Sequence, residues 1–271
     1  QFANFMLQVQ LPPNPVANLD NTLTPSQQLG SDKWFSCGPG TIECAQLDPD
    51  ATDTVEDCDG CHSLDPLNGF FGTGGEESFE GETQHMKVPH LRNVYSKVGM
   101  FSVGGDQVRG TGLLHDGTID TIQSFLSAGV FNLNAAERQA LADFVLAFPS
   151  DLAPIVGQQV TIGPGNVGVA DVADRIDLID ARAAAAFESN VLGGSVTECD
   201  VIVKTVEAGV EKGYARLASG LYLPDDNGAA INESTLRLKA TTQILTYTAV
   251  PPGSGQRMGI DRDQDSLLNG V

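Results

Sequence analysis

Two cysteines and a histidine stand in the run Cys58-Asp59-Gly60-Cys61-His62, and side chains of these types at this spacing have a narrow chemistry. Two intervening residues let both thiols add across the two vinyl groups of one haem, while the adjacent imidazole reaches the iron from the same side. A thioredoxin-like redox pair would open a helix after a strand, and half a zinc site would need a second Cys or His pair at ligand spacing. Neither context is present. The motif therefore reads as one covalently attached haem c, bound through Cys58 and Cys61, with His62 as proximal ligand. Covalent haem attachment belongs outside the cytoplasm, so a bacterial periplasmic or extracellular location is expected, where disulfides persist. Cys37 and Cys44 are close enough in sequence to bridge the loop between them, with two reduced thiols as the alternative, and Cys199 is left over, read as a buried thiol at the start of a strand or one that bonds another chain.

The other face of the iron decides the function. A low-spin electron carrier needs a sixth ligand, whereas a peroxidase keeps that position open or weakly held. The candidates are Met86, Met100, His85, His90 and His115. Met100 follows Gly99, which permits close backbone approach, and is the expected ligand for the haem iron. His115 is the runner-up, with an alternative role as a hydrogen-bonding residue that holds its loop. His85 and His90 read as structural or solvent-facing. Lys87 and Arg92 could neutralise haem propionates or simply face solvent. At the other end of the chain Asp261, Asp263 and Asp265 alternate, with Asn269 a candidate fourth side chain. Such oxygen donors suit Ca2+. The run resembles a thrombospondin type 3 or EF-hand-like loop, although Ser266 stands where the turn glycine would.

Helices and loops must hold these groups. The opening segment has Phe2, Phe5, Met6 and Val9 at helical spacing before Pro12 and Pro13, and starts as though in mid-helix. Residue 1 is therefore expected to be a processing point with an upstream region before it. Thr24 as N-cap, Pro25 at the first helical position and Gln27 in a capping box predict a helix through Trp34 and Phe35. An acidic stretch then leads to the CDGCH motif. Residues 63–85 read as loop. Ile119, Ile122, Phe125 and Leu126 share a helical face that Gly129 can end. Asn134 and Glu137 form a second capping box, with Leu141, Phe144, Val145 and Phe148 as the buried stripe. Residues 151–166, rich in Pro and Gly, read as a linker. Beyond it a helix over 171–187 and strands at 200–206, 213–219 and 243–249 suggest a helix on a small antiparallel sheet.

At 271 residues and 41% hydrophobic content a real core can form. With 35 acidic against 15 basic residues the net charge of −20 repels nucleic acid and suits a redox partner with a basic surface. No apolar run approaches the roughly 18 residues of a membrane span, and no signal peptide is visible, so the chain reads as soluble and already processed. Asn232-Glu233-Ser234 is a glycosylation sequon, weak evidence in a chain that otherwise looks bacterial.

The segments 86–94 (MKVPHLRNV), 115–122 (HDGTIDTI) and 137–148 (ERQALADFVLAF), placed after a CxxCH, resemble the haem domain of the di-haem cytochrome c peroxidase superfamily. The likeness spans about residues 20–150. It implies a helical cytochrome c domain in which Trp34, Phe35, Phe144 and Phe148 pack on the haem. The chain departs from that family in having one CxxCH, an enlarged segment between Tyr95 and Leu114, and no Met after the HDG run. The resulting expectation is an α+β chain: a mainly helical cytochrome c-like haem domain over 1–150, the linker, and an α+β accessory domain over 167–271 ending in an acidic, calcium-binding loop. Its expected function is electron transfer. A peroxidase-like enzyme with an open sixth position, and a subunit of an extracellular cytochrome assembly, homo-oligomer or filament, stand as alternatives.

Overall fold

A computed structural model describes residues 2, 9–35, 58–75, 77, 86–99, 110–129, 131 and 133–270. The chain divides into two units, Gln1–Asp151 and Leu152–Val271.

Two helices organise the first unit. Helix α1 (Pro25–Trp34) begins where the Thr24 hydroxyl accepts the Gln27 amide and the Gln27 side chain accepts the Thr24 amide, at 3.2 and 2.9 Å. Both donors would otherwise be orphans of the first turn. The longer helix, which becomes α4 (Ala135–Leu146) once the short turns between are counted, is started in the same way by Asn134 and Glu137. Its C-terminal carbonyls are met by the buried Asn14, whose amide donates to Leu146 O and Phe148 O at 2.8 and 2.9 Å. The two helices cross at Gly30, where a Cβ would lie 2.1 Å from Ala140 O and 2.7 Å from the Phe144 Cβ. Around this crossing Trp34, Val94, Ile122, Leu126, Leu133, Leu141, Phe144, Val145 and Phe148 form one buried cluster, against which Cys58 and Leu64 also pack.

Among the described residues between these helices the elements are short: α2 (Cys58–Cys61), a hairpin of β1 (Leu64–Asp65) and β2 (Phe70–Phe71), a 3-10 turn at Val94–Ser96, and α3 (Ile122–Phe125). The expectation of a mainly helical domain is therefore corrected. Over the described residues of both units, helix makes up only 28% and strand 21%. The apolar face read as a helix from Ile119 is split: Ile119 bridges Leu113 as extended chain, and the helix starts only after Thr121, its N-cap. Left-handed backbone at Gly69, Gly72, Gly75, Asn93, Gly99, Gly112, Leu114 and Gly117 interrupts helix throughout this region.

The second unit is built on a five-stranded antiparallel sheet in the order β3 (Gln159–Ile162), β9 (Leu245–Val250), β6 (Asp200–Glu207), β7 (Val210–Arg216), β8 (Tyr222–Pro224). Strand β3 falls inside the stretch read as a linker, so 151–166 is not a connection but supplies an edge strand. Helix α5 (Ala170–Arg182) buries Ile176 and Ile179. It stops before Phe187, which instead pairs with Val196 in a hairpin of β4 (Ala186–Ser189) and β5 (Gly194–Thr197). The β6–β7 turn is Ala208-Gly209, both with positive φ, as a tight hairpin needs. Helices α6 (Glu233–Leu238) and α7 (Gly255–Gly259) complete the unit. Among the described residues no helix is long and apolar enough to cross a membrane.

Candidate functional site

Cys58 and Cys61 are the two ends of α2, one helical turn, and the His62 amide closes it by donating to Cys58 O at 2.7 Å. Both sulfurs are half-buried thiols. After His62 the chain folds back at once. Asp59 accepts the Leu64 amide at 3.2 Å, and the β1–β2 hairpin turns through Asp65, whose carboxylate accepts the Asn68 amide and side chain at 3.1 and 2.6 Å. Those bonds hold the exposed Asp65 carboxyl below its ordinary pKa, the Asn68 side chain first. The hairpin returns Gly72 beside the motif. Its amide donates to Ser63 O at 2.7 Å, and its carbonyl accepts the His62 Nδ1–H at 2.7 Å. An imidazole that donates from Nδ1 carries its lone pair on Nε2, the tautomer a metal ligand requires, and the hydrogen bond raises its basicity.

Gly72 is required there. It has φ +89°, and a Cβ would lie 2.7–2.8 Å from Leu91, backbone amide included. That amide in turn donates to Phe71 O at 2.8 Å.

Trp34 closes one side, its ring 6.0 Å from His62, 5.9 Å from Phe144 and 5.2 Å from Phe148. Its indole N–H is buried and has no acceptor among the described residues. A buried donor left this way costs about 1–3 kcal/mol, so an acceptor is called for beside the motif. Phe35, expected in the same wall, is 47% exposed, with its ring edge-on to Phe144.

Arg92 is not on a solvated face. Its Nη1 pairs with Asp151, a buried carboxylate that also accepts the Leu11 amide at 2.7 Å, and its guanidinium lies 4.8 Å over the Phe71 ring. Its buried Nε has no partner among the described residues. Lys87 is exposed. His90 is half-buried, with Nδ1 unbonded; burial, then the charges of Lys97 and Arg92, push its pKa down and favour the neutral ring. His115 sits exposed on a turn shaped by Leu114 and Gly117, where Asp116 accepts the Thr118 amide and hydroxyl at 3.1 and 2.9 Å. Met100, His85, Cys37 and Cys44 lie outside the described residues.

In the second unit Cys199 is buried and its thiol is pushed up to about 12 by desolvation, then by Glu198 and Asp200. Asp261, Asp263 and Asp265 come together, whereas the Asn269 side-chain oxygen accepts the Arg262 amide at 3.0 Å and closes their loop.

The residues that sequence reading missed are Gly72 and the Trp34 N–H. The Gly72 carbonyl is found only once the hairpin is built, and the indole N–H only once the core is. No protein-family model matches the chain, and neither the curated proteins nor the solved structures include a match.

Proposed function

We propose that this chain is an electron-transfer protein carrying one covalent haem c in a periplasmic or extracellular setting. The observation that carries the reading is the His62 Nδ1–H bond to Gly72 O, 2.7 Å, on the same turn that presents Cys58 and Cys61. With Nδ1 donating, His62 would ligate iron through Nε2, its ring plane held by that bond.

The thiols of Cys58 and Cys61 would hold the group by adding across its vinyl bonds, each sulfur joining one carbon and each thiol hydrogen passing to the other. The haem supplies one-electron chemistry when bound. Trp34 fits such a group because its buried N–H lacks an acceptor and a propionate oxygen is one. Leu64, Leu91, Leu113 and Val98 pack on the cluster around Trp34 and would keep water from the group. Arg92 gives its Nη1 to Asp151 first, and its Nε remains as a second donor for a propionate. The net charge of −20 steers a basic redox partner.

Protein matured in a host that attaches haem covalently should show a reversible one-electron couple in a spectroelectrochemical titration. Its oxidised spectrum should be low-spin, turning high-spin in Met100→Ala. A high-spin wild type that turns over peroxide would overturn the carrier reading.

A further inference from the structure

The C-terminal loop has no part in the haem reading, yet it assembles donors with no purpose of their own. We propose that the loop from Ile260 to Asn269 binds one Ca2+ through the carboxylates of Asp261, Asp263 and Asp265.

Alternation in the sequence places these three acids on one side of the loop, and left-handed backbone at Gln264 and Ser266 curls the chain around them. One carboxylate oxygen from each lies within 4.8 Å of the others. Asp263 and Asp265 are exposed, and exposed acids alone would mean little. Asp261 is different. It is 5% exposed, and its Oδ1 has no hydrogen-bond partner among the described residues. A buried carboxylate oxygen needs a donor or a metal ion. Two basic groups of this corner are engaged elsewhere, Lys204 with Gly259 O and Arg262 with Glu211 at 3.6 Å. Among the described residues no protein cation bonds Asp261 Oδ1.

The loop is also fixed in place before any ion arrives. Asn269 donates to Ile260 O at 2.9 Å, the Arg262 amide donates to the Asn269 side chain at 3.0 Å, and Gly270 donates to Asp225 O at 2.9 Å, next to β8. Helix α7, which leads into the loop, lies so close to the sheet that a Cβ on Gly259 would lie 3.0 Å from Ile202 and 3.1 Å from Ala215. Asp265 spends one oxygen on the Leu267 amide at 2.8 Å.

Donor type and spacing select the cation. The set is all oxygen, with no Cys or His, which disfavours zinc. Oxygens on opposite sides of Ca2+ stand up to about 4.6–5.2 Å apart, while for Mg2+ the limit is about 4.2 Å. The three carboxylate oxygens lie within 4.8 Å of one another, close enough to share one Ca2+, and Mg2+ is rarely held by an all-protein cage. Backbone carbonyls and water would complete the six to eight oxygens that Ca2+ takes.

The test uses the full chain, stripped with EDTA and titrated with calcium chloride by calorimetry and by thermal unfolding. The comparison is with Asp261→Asn and with the double variant Asp263→Asn/Asp265→Asn, whose changes are on exposed side chains and leave the core intact. Wild type should bind one Ca2+ per chain with a Kd below about 1 mM, the range of extracellular sites, and should gain melting temperature with calcium but far less with Mg2+. Each variant should lose at least tenfold in affinity, about 1.4 kcal/mol, and in EDTA should melt no lower than wild type, because it sheds repulsion or an orphaned charge. No heat and no melting shift in wild type up to about 5 mM calcium would overturn the proposal, as would equal binding by the double variant.

Discussion

Gly30→Ala sets two effects of opposite sign against each other. In a free helix the change helps, since Ala is favoured over Gly by about 1 kcal/mol. In this protein the new Cβ would lie 2.1 Å from Ala140 O and 2.7 Å from the Phe144 Cβ, where ordinary contact starts at 3.4 Å. Helices α1 and α4 must then part by about 1.3 Å at the crossing, because the obstacle is a backbone carbonyl and cannot rotate away. Overpacking of this kind costs about 1–3 kcal/mol or more, and an immovable partner places it at the upper end. The net loss is therefore about 2 kcal/mol, a fall of about 4–8 °C in melting temperature for a chain of this size. Emission from Trp34, the sole tryptophan and part of the same core, reports the first unit directly. Gly129→Ala, which meets nothing within 4 Å, is the control. A Gly30→Ala protein that melts at or above wild type would refute the tight crossing.

Gly72→Ala cannot keep its φ of +89° beside Leu91, so it displaces the carbonyl that holds His62. In the holoprotein a weaker donor to iron should raise the midpoint potential, read by redox titration; an unchanged potential would count against the role of this bond. Arg92→Ala takes the guanidinium partner from the buried Asp151 and should cost about 3–5 kcal/mol in urea unfolding; a loss below about 1 kcal/mol would contradict the buried pair. At alkaline pH the fold holds protons that the unfolded chain releases. The Cys199 thiol is raised from 9.0 to about 12, chiefly by burial, and burial also raises the Tyr222, Tyr247 and Tyr214 phenols. The stability that these groups contribute is full below pH 9 and is lost as pH rises from 9 through 12, by about 1.4 kcal/mol per pH unit for each group still protonated only in the fold. Cys199→Ala should flatten that decline, and a pH-independent melting temperature from 9 upward would refute it.

How much of this was legible in the sequence depended on the range of the interaction. The CDGCH motif and the two capping boxes are local, and the Thr24–Gln27 and Asn134–Glu137 bonds are made within four residues. Helical periodicity failed where a distant partner claimed the same residues. Ile119 fits a helical face yet bridges Leu113, and Phe187 fits the end of α5 yet pairs with Val196 across a turn made possible by Gly193 and Gly194. Strand β3 is four residues long among prolines and glycines, and its identity comes from β9, more than eighty positions away. At the site, the pair and the histidine were readable, but the Gly72 carbonyl, the Trp34 N–H and the Asp151 partner of Arg92 exist only through folding. The aspartates of the C-terminal loop were visible as a pattern. The burial of Asp261 was not.

The central claim is that Cys58 and Cys61 carry haem covalently. It is tested most directly by maturing the full chain in a host with haem-attachment machinery, denaturing it, and recording the intact mass and the pyridine haemochrome spectrum. The account predicts one haem per chain that stays with the polypeptide through denaturation, with a spectrum of two saturated vinyl positions, and its loss in Cys58→Ser/Cys61→Ser. A wild-type chain that releases all haem on denaturation, or a double variant that retains it equally, would contradict the account.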